Sequence, residues 1–205
     1  MVDVFETHRG GCGGRRGMKK GRQDKILSAE EFSALLAAAR ADRRVYGTRG
    51  YGMFFFAGNF GLRCGEAMDL RKDDFKTLRF GYFTVRTLKK KAQEEDRVYV
   101  GRNGLSVVAR VLAMFPGGRG AERLFPYTTR TGRHFFAYYA DKAGLSRNVS
   151  FHSLRHCAAR RLYGVCKDRG VVNAFLRHKP ETTEIYTDPS PEELMAWMDK
   201  MGLVV

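Results

Sequence analysis

Most of the chain carries apolar residues at helical spacing. Residues 28–31 form a capping box, with Ser28 as N-cap and Glu31 at the third helical position, and they open a predicted helix with core positions Phe32, Leu35, Leu36 and Ala39. Residues 52–60 are too apolar to face water on any side, so they predict a second, fully buried helix. Further helices are predicted over residues 105–115, 134–142, 171–177 and 182–186, and from Pro191 onward, where Ser190 and Glu193 repeat the capping box.

Between these helices the pattern changes to two short strands. Residues 80–85 and 97–100 are rich in β-branched and aromatic side chains, and the polar residues 89–96 predict a hairpin loop. Lys89, Lys90 and Lys91 lie where the first strand passes into this loop, and they form either a solvated tip or a group of cations that reaches into a DNA groove. The predicted fold class is therefore mainly α with a small antiparallel β-sheet (α+β), built around one core.

The stretch His152-Ser153-Leu154-Arg155-His156 is read as part of another helix. Its apolar positions share one face, whereas His152 and Arg155 fall on the opposite face, away from the core. A His and an Arg one turn apart are either an ordinary solvated face or a cationic platform that holds an anion.

A second arginine, Arg63, can also be interpreted either as structural or as functional. Arg63 follows the buried helix directly after Gly61-Leu62, and Glu66 lies one helical turn further on. A glycine allows a tight turn that would hold the arginine rigidly, and the glutamate would brace its guanidinium. The pair is either a structural salt bridge or a functional arginine held in place.

Composition points to a polyanionic partner. The chain of 205 residues has a formal net charge of +15, and nucleic acid is the commonest partner for such a protein. Residues 1–25 contain seven Lys or Arg and three Asp or Glu, so about +11 remains on the folded body. Glycine and charge dominate this segment, which predicts a disordered arm that either trails along DNA or is a plain flexible tail; its basic residues include Arg15, Arg16, Lys19 and Lys20.

Several classes of protein are disfavoured. The four cysteines have no metal-ligand spacing and are read as free thiols of a reducing compartment. No apolar run approaches the roughly 18 residues of a membrane span, and no signal peptide opens the chain. We expect no membrane association and a cytoplasmic, nucleoid-associated protein, or one in the host cytoplasm if a phage encodes it.

Taken together, the motifs resemble the tyrosine recombinase (phage integrase) family over about residues 28–190. The resemblance rests on Gly61-Leu62-Arg63 with Glu66, Thr87-Leu88-Lys89, Leu124-Phe125-Pro126, His152-Ser153-Leu154-Arg155-His156, and Arg177-His178 followed by Thr182-Thr183-Glu184-Ile185-Tyr186. Each motif alone is weak, but their common order and family-like separations are specific.

The resemblance implies a catalytic-domain fold and a set of site residues. Tyr186 would be the nucleophile that forms a 3′-phosphotyrosyl bond with DNA, and Arg63 and Arg155 would bind the phosphate oxygens. Lys89 would be the general acid, and Lys90 or Lys91 could take this role instead. Lys90 and Lys91 would otherwise contact DNA. His152 would assist proton transfer at the tyrosine and His178 would donate to a phosphate oxygen, with Glu66 and His156 in support. No metal, cofactor or ATP is implied.

The resemblance also implies partners and alternatives. Double-stranded DNA is the expected substrate, bound by a homotetramer, with a monomer as the DNA-free alternative. Residues 26–188 would form the catalytic domain, and the helix over 189–205 would be exchanged between protomers or pack on its own core. The alternatives to a mobile-element recombinase are type IB topoisomerase-like relaxation and a non-catalytic DNA-binding accessory protein.

The sequence departs from the family pattern at three places. Arg177 stands where the family commonly has glycine, and the interval from His178 to Tyr186 is eight residues and contains Pro180. The usual N-terminal core-binding domain has no counterpart in the 27 residues before the first helix, which suggests either a catalytic-domain-only enzyme or a fragment.

Overall fold

The computed structural model describes residues 26–86, 95–115, 120–145, 148–178 and 189–205. Within these ranges the chain forms helices around one core and a single two-stranded sheet, which confirms the predicted fold class. In chain order, the elements are α1 (Ala29–Ala41), α2 (Val45–Phe60), α3 (Cys64–Met68), β1 (Tyr82–Arg86), β2 (Glu95–Tyr99), α4 (Leu105–Ala113), α5 (Thr129–Lys142), α6 (Phe151–Cys166), α7 (Arg169–Phe175) and α8 (Pro191–Met201).

Helix α2 is the centre of the core and packs against α1, α5 and α6. Residues 50–60 are all buried, as their composition predicts. The helix begins at Val45, seven residues before the predicted start, because its glycines give a weak helix signal in the sequence. One of them, Gly52, leaves no room for a Cβ beside the ring of Phe115, so close packing offsets its low helix propensity.

The capping boxes predicted at the two ends of the chain are confirmed. Ser28 accepts from the backbone of Glu31, whose carboxylate in turn accepts from the backbone of Ser28. Ser190 and Glu193 repeat the arrangement at the start of α8. The helix α8 packs on α6 and β2 of the same chain, and its Leu194 and Met198 are buried.

The hairpin pairs β1 with β2 in antiparallel register, with Tyr82 opposite Tyr99 and Arg86 opposite Glu95. The second strand starts two residues earlier than predicted, and Phe80, predicted to begin the first strand, is exposed in a 3-10 turn. At the end of β1, the guanidinium of Arg86 donates to Asp74 at 2.5 Å. This ion pair fastens the base of the hairpin loop to the body of the protein.

Three other helices have different bounds from those predicted. α5 begins at Thr129, where the Thr128 side chain accepts from the backbone of Thr131, and α7 begins at Arg169 after the N-cap Asp168. α4 ends at Ala113. The helix predicted over residues 182–186 lies outside the described residues.

None of the helices in the described part of the chain has both the length and the apolar character to span a membrane.

Candidate active site

The first element of the site is the turn between α2 and α3. Gly61 ends α2 in the left-handed region, at φ 62°, and a side chain there would collide with Leu176. Two residues later, Arg63 donates to Glu66 through its backbone N–H at 2.8 Å and its guanidinium at 2.7 Å. The Glu66 side chain is 3% exposed and the Arg63 side chain 33% exposed. The brace predicted from the sequence is therefore present, and the arginine retains an accessible part.

The second element is Arg155 on α6, whose position differs from the sequence prediction. The helical spacing placed it on an outward face, but it is only 3% exposed. Its guanidinium donates at 2.5 Å to the backbone carbonyls of both Gly61 and Leu176. The prediction of an outward-facing residue was wrong because the turn after α2 and the end of α7 cover that side of α6. Arg155 thereby ties the segments carrying Arg63 and His178 together.

His152 and His156 lie one turn apart on α6 and are both exposed. Their rings meet edge to face, with centroids 4.5 Å apart. Burial of its ring is the largest factor that lowers the pKa of His152, and the charges of His156, Arg155 and Arg63 lower it further. His152 thus lies within the field of both predicted arginines.

His178 follows α7 and is also exposed. Its pKa is lowered by partial burial first and then by the positive charges of Arg155 and Arg63. Arg155 lies on the same helix as His152 and donates to the carbonyls of Gly61 and Leu176, each two residues before Arg63 and His178 respectively, so these four predicted residues lie close together.

Arg177 is a site residue that was not predicted from the sequence. Its guanidinium donates to Glu66 at 2.9 Å, from the side of the carboxylate opposite to the Arg63 guanidinium. Two guanidiniums, of Arg63 and Arg177, therefore share the Glu66 carboxylate, and Arg155 lies beside them on the carbonyls of Gly61 and Leu176. The signal in the sequence was an arginine at the end of a helix, where a glycine is usual.

The electrostatics of this cluster favour an anionic ligand. Burial is the main cause that lowers the pKa of Arg155 to about 10, and the neighbouring Arg177 and Arg63 act in the same direction. Arg155 remains protonated at neutral pH, but an anion would relieve its repulsion with its neighbours. A tetrahedral phosphate with planar guanidinium donors around it matches this charge and geometry.

We predict that both imidazoles are mainly neutral in the free protein at pH 7. Each should titrate below the value near 6.5 of an unperturbed histidine. Binding of DNA adds negative charge and should raise both pKa values, as should Arg63→Ala, which removes a positive neighbour. Titration of the imidazole carbon and nitrogen resonances by NMR measures this, with the urea-unfolded protein as reference. Values at or above that reference in the free protein would contradict the prediction.

Several predicted site residues lie outside the described residues. They are Lys89, Lys90 and Lys91 of the hairpin loop, Tyr186, and Arg15, Arg16, Lys19 and Lys20 of the arm. Their placement stays a prediction. Within the described ranges, no group of three or more His, Cys, Asp or Glu side chains is arranged to hold a metal ion.

Comparison with known proteins agrees with the motifs. The model of the phage integrase family matches residues 25–193. Tyrosine recombinase XerD of Pseudomonas aeruginosa is 32% identical over 174 residues, which cover 80% of this chain and 57% of that protein. The chain thus spans just over half the length of this relative.

Solved structures show the same fold. The XerA recombinase matches with a TM-score of 0.62 and 24% identity, covering 86% of this chain and 65% of that one. A lambda integrase tetramer bound to a Holliday junction matches with a TM-score of 0.58 and 21% identity, covering 78% of this chain and 48% of that one. The resemblance inferred from the sequence motifs is confirmed: the chain belongs to the phage integrase family of tyrosine recombinases.

Proposed function

We propose that the chain carries the catalytic domain, residues 26–188, of a site-specific DNA recombinase. It cuts and rejoins DNA through a 3′-phosphotyrosyl intermediate, without metal or ATP. The observation that carries the proposal is the cluster of Arg155 and Arg63, the latter held by buried Glu66, flanked by two exposed histidines. Family membership supports the reaction type, and the charge of +15 supports a DNA substrate.

The arginines stabilise the transition state. Attack on a phosphodiester produces a pentacoordinate phosphorane with extra negative charge on its non-bridging oxygens. Arg63 and Arg155 offer planar groups of donors that stay charged, and their contacts with Glu66 and with backbone carbonyls hold them in place before the substrate arrives. No reorganisation is then needed when the charge develops.

Proton transfers complete the step. The Tyr186 oxygen forms a bond to phosphorus while the bond from phosphorus to the 5′-oxygen breaks. Neutral His152 takes the phenol proton, consistent with its lowered pKa, and His178 donates a hydrogen bond to a phosphate oxygen. Lys89, or its neighbour Lys90 or Lys91, gives a proton to the departing 5′-oxygen. Because the phosphotyrosine keeps the energy of the diester, a 5′-hydroxyl from another strand can reverse the step and complete recombination.

The working unit is proposed to be a homotetramer on double-stranded DNA, in the cytoplasm. The lambda integrase in its matched structure is a tetramer bound to a Holliday junction. In this chain α8 packs on its own α6, and we propose that residues 189–205 exchange between protomers when the tetramer assembles on DNA. The basic arm of residues 1–25, with Arg15, Arg16, Lys19 and Lys20, adds contacts to the phosphate backbone.

A nicked suicide substrate tests the proposal. Duplexes from the flanks of the native gene carry a nick beside the scissile phosphate, so that the short fragment diffuses away and the covalent complex accumulates. We expect wild-type protein to form an adduct that resists denaturation, and Tyr186→Phe to bind the same DNA without forming it, since it lacks the attacking oxygen. Peptide mapping then identifies the residue that carries the nucleotide.

The other outcomes point to the alternative functions. Equal adduct from wild type and Tyr186→Phe would refute the nucleophile assignment. DNA binding without any adduct would favour a non-catalytic accessory protein. Efficient relaxation of a supercoiled plasmid that lacks a cognate site would favour a type IB topoisomerase.

A further inference from the structure

The end of α7 is closed by an arginine in a conformation that usually belongs to glycine. The backbone N–H of Arg177 donates to Ala174 and that of His178 donates to Asn173, each at 2.9 Å, which is the pattern of a Schellman motif. Arg177 occupies the left-handed position of this motif, at φ 55°. An L side chain is strained there, so its contacts must compensate for the backbone.

The side chain of Arg177 makes these contacts beneath the site. It is 7% exposed and donates to Glu66 at 2.9 Å and to the carbonyl of Phe175 at 3.2 Å. The terminal nitrogen that donates to Glu66 also lies 3.5 Å from the carbonyl of Gly61, which accepts from Arg155 as well. The side chain therefore joins the end of α7 to the turn that carries Arg63.

The carboxylate of Glu66 accepts hydrogen bonds from two arginines. Its Oε1 accepts from the Arg63 guanidinium at 2.7 Å, and its Oε2 accepts from the Arg177 guanidinium at 2.9 Å and from the Arg63 backbone at 2.8 Å. Because Arg177 takes part of the negative charge, Arg63 is not fully neutralised by its partner. The accessible part of Arg63 keeps positive charge for an external anion.

We propose that Arg177 is a positioning residue for the DNA cleavage step. It fixes Glu66, and through Glu66 the orientation and free charge of Arg63; through the backbone of its own turn it aims His178. The Arg177 guanidinium is directed at Glu66 and at the carbonyls of Phe175 and Gly61, and no contact with DNA is assigned to it. This inference rests on the proposed function.

The chain offers a matched control for the test. Lys167 ends α6 in the same left-handed conformation, at φ 56°, but its side chain is exposed and contacts only the ring of Tyr163, 6.0 Å away, among the described residues. Both Arg177→Gly and Lys167→Gly remove a cation and supply the residue that this backbone favours. They differ in the side-chain contacts that are lost, because Arg177 is held by Glu66 and by the carbonyls of Phe175 and Gly61, whereas the Lys167 side chain is exposed.

Single-turnover adduct formation on the nicked substrate, at saturating DNA, is the measurement. We expect Arg177→Gly to react about 10- to 100-fold more slowly, with a DNA Kd within about threefold of wild type, because misplacement of Arg63 affects the transition state more than ground-state binding. Lys167→Gly should react like wild type. Arg177→Lys should recover part of the rate, and millimolar ethylguanidinium should accelerate Arg177→Gly by occupying the vacated site.

Three results would overturn the inference. Arg177→Gly reacting as fast as wild type would leave Arg177 without a role in cleavage. If Lys167→Gly slows the reaction equally, the effect is due to flexibility of helix ends. If Arg177→Gly raises the Kd for DNA without slowing the reaction at saturating DNA, the effect is on DNA binding. A wild-type protein that forms no adduct overturns the proposed function as well, whereas a wild-type adduct with an unimpaired Arg177→Gly overturns this inference alone.

Discussion

Arg155→Ala is expected to lose stability and activity together. The guanidinium makes two charge-assisted hydrogen bonds, to the carbonyls of Gly61 and Leu176, from a side chain that is 3% exposed. Each such bond contributes about 1.5–3 kcal/mol, but the buried charge also has a desolvation cost, so we expect a net loss of about 2–4 kcal/mol. The same change removes a donor to the phosphorane and should slow adduct formation at least about 100-fold.

Two further variants make this prediction specific. Arg155→Lys keeps a cation but not the planar group that reaches two carbonyls and a phosphate, so we expect intermediate stability and a rate still at least about tenfold below wild type. Arg160→Ala, on an exposed position of the same helix, is the control and should change neither quantity. Urea unfolding and single-turnover cleavage measure both effects. If Arg155→Ala is as stable as wild type, the contacts with the two carbonyls do not contribute to stability. If it reacts as fast as wild type, Arg155 has no role in the reaction.

The sequence predicts best where the local chain determines the structure. The capping boxes at Ser28 and Ser190 depend on residues three apart, and both form as expected. The start of α2 was misplaced because its glycines are poor helix formers, whereas in the fold Gly50 and Gly52 pack closely against the rings of Tyr139 and Phe115. Long-range contacts of this kind leave no local pattern to read.

In the site, too, local contacts were predicted from the sequence and long-range contacts were not. The Arg63–Glu66 brace is a contact between residues three apart and was predicted from their spacing. Helical periodicity predicts which face of α6 opposes its apolar face, but it does not reveal that the end of α7 covers Arg155. Arg177 was noted as an unusual residue, yet its pairing with Glu66 joins positions 111 residues apart. Only the assembled fold brings those charges together.

Glu66→Gln is expected to cause the largest loss of stability among the site variants. The carboxylate is 3% exposed and pairs with both Arg63 and Arg177, the latter itself 7% exposed. A neutral amide removes the ion-pair partner of the buried Arg177 and points N–H groups toward guanidinium donors. Breaking a buried ion pair in this way costs about 3–5 kcal/mol, a large part of the stability of a typical domain. The exposed Glu122→Gln is the matched control and should be neutral within about 0.5 kcal/mol.

The dependence on pH identifies the carboxylate as the cause. Burial alone would raise the pKa of Glu66, but Arg177 and Arg63 outweigh it and lower the pKa below 4.5. The unfolded chain then binds this proton at a higher pH than the folded chain, so the stabilising contribution is complete above about pH 4.5 and is lost as the pH falls through the folded value. Glu66→Gln has no such proton to bind. The difference in unfolding free energy between wild type and Glu66→Gln should therefore be greatest at pH 7 and shrink below pH about 4.5 in urea titrations. A difference that stays constant across this range would mean that the buried carboxylate stabilises the fold by its shape rather than its charge.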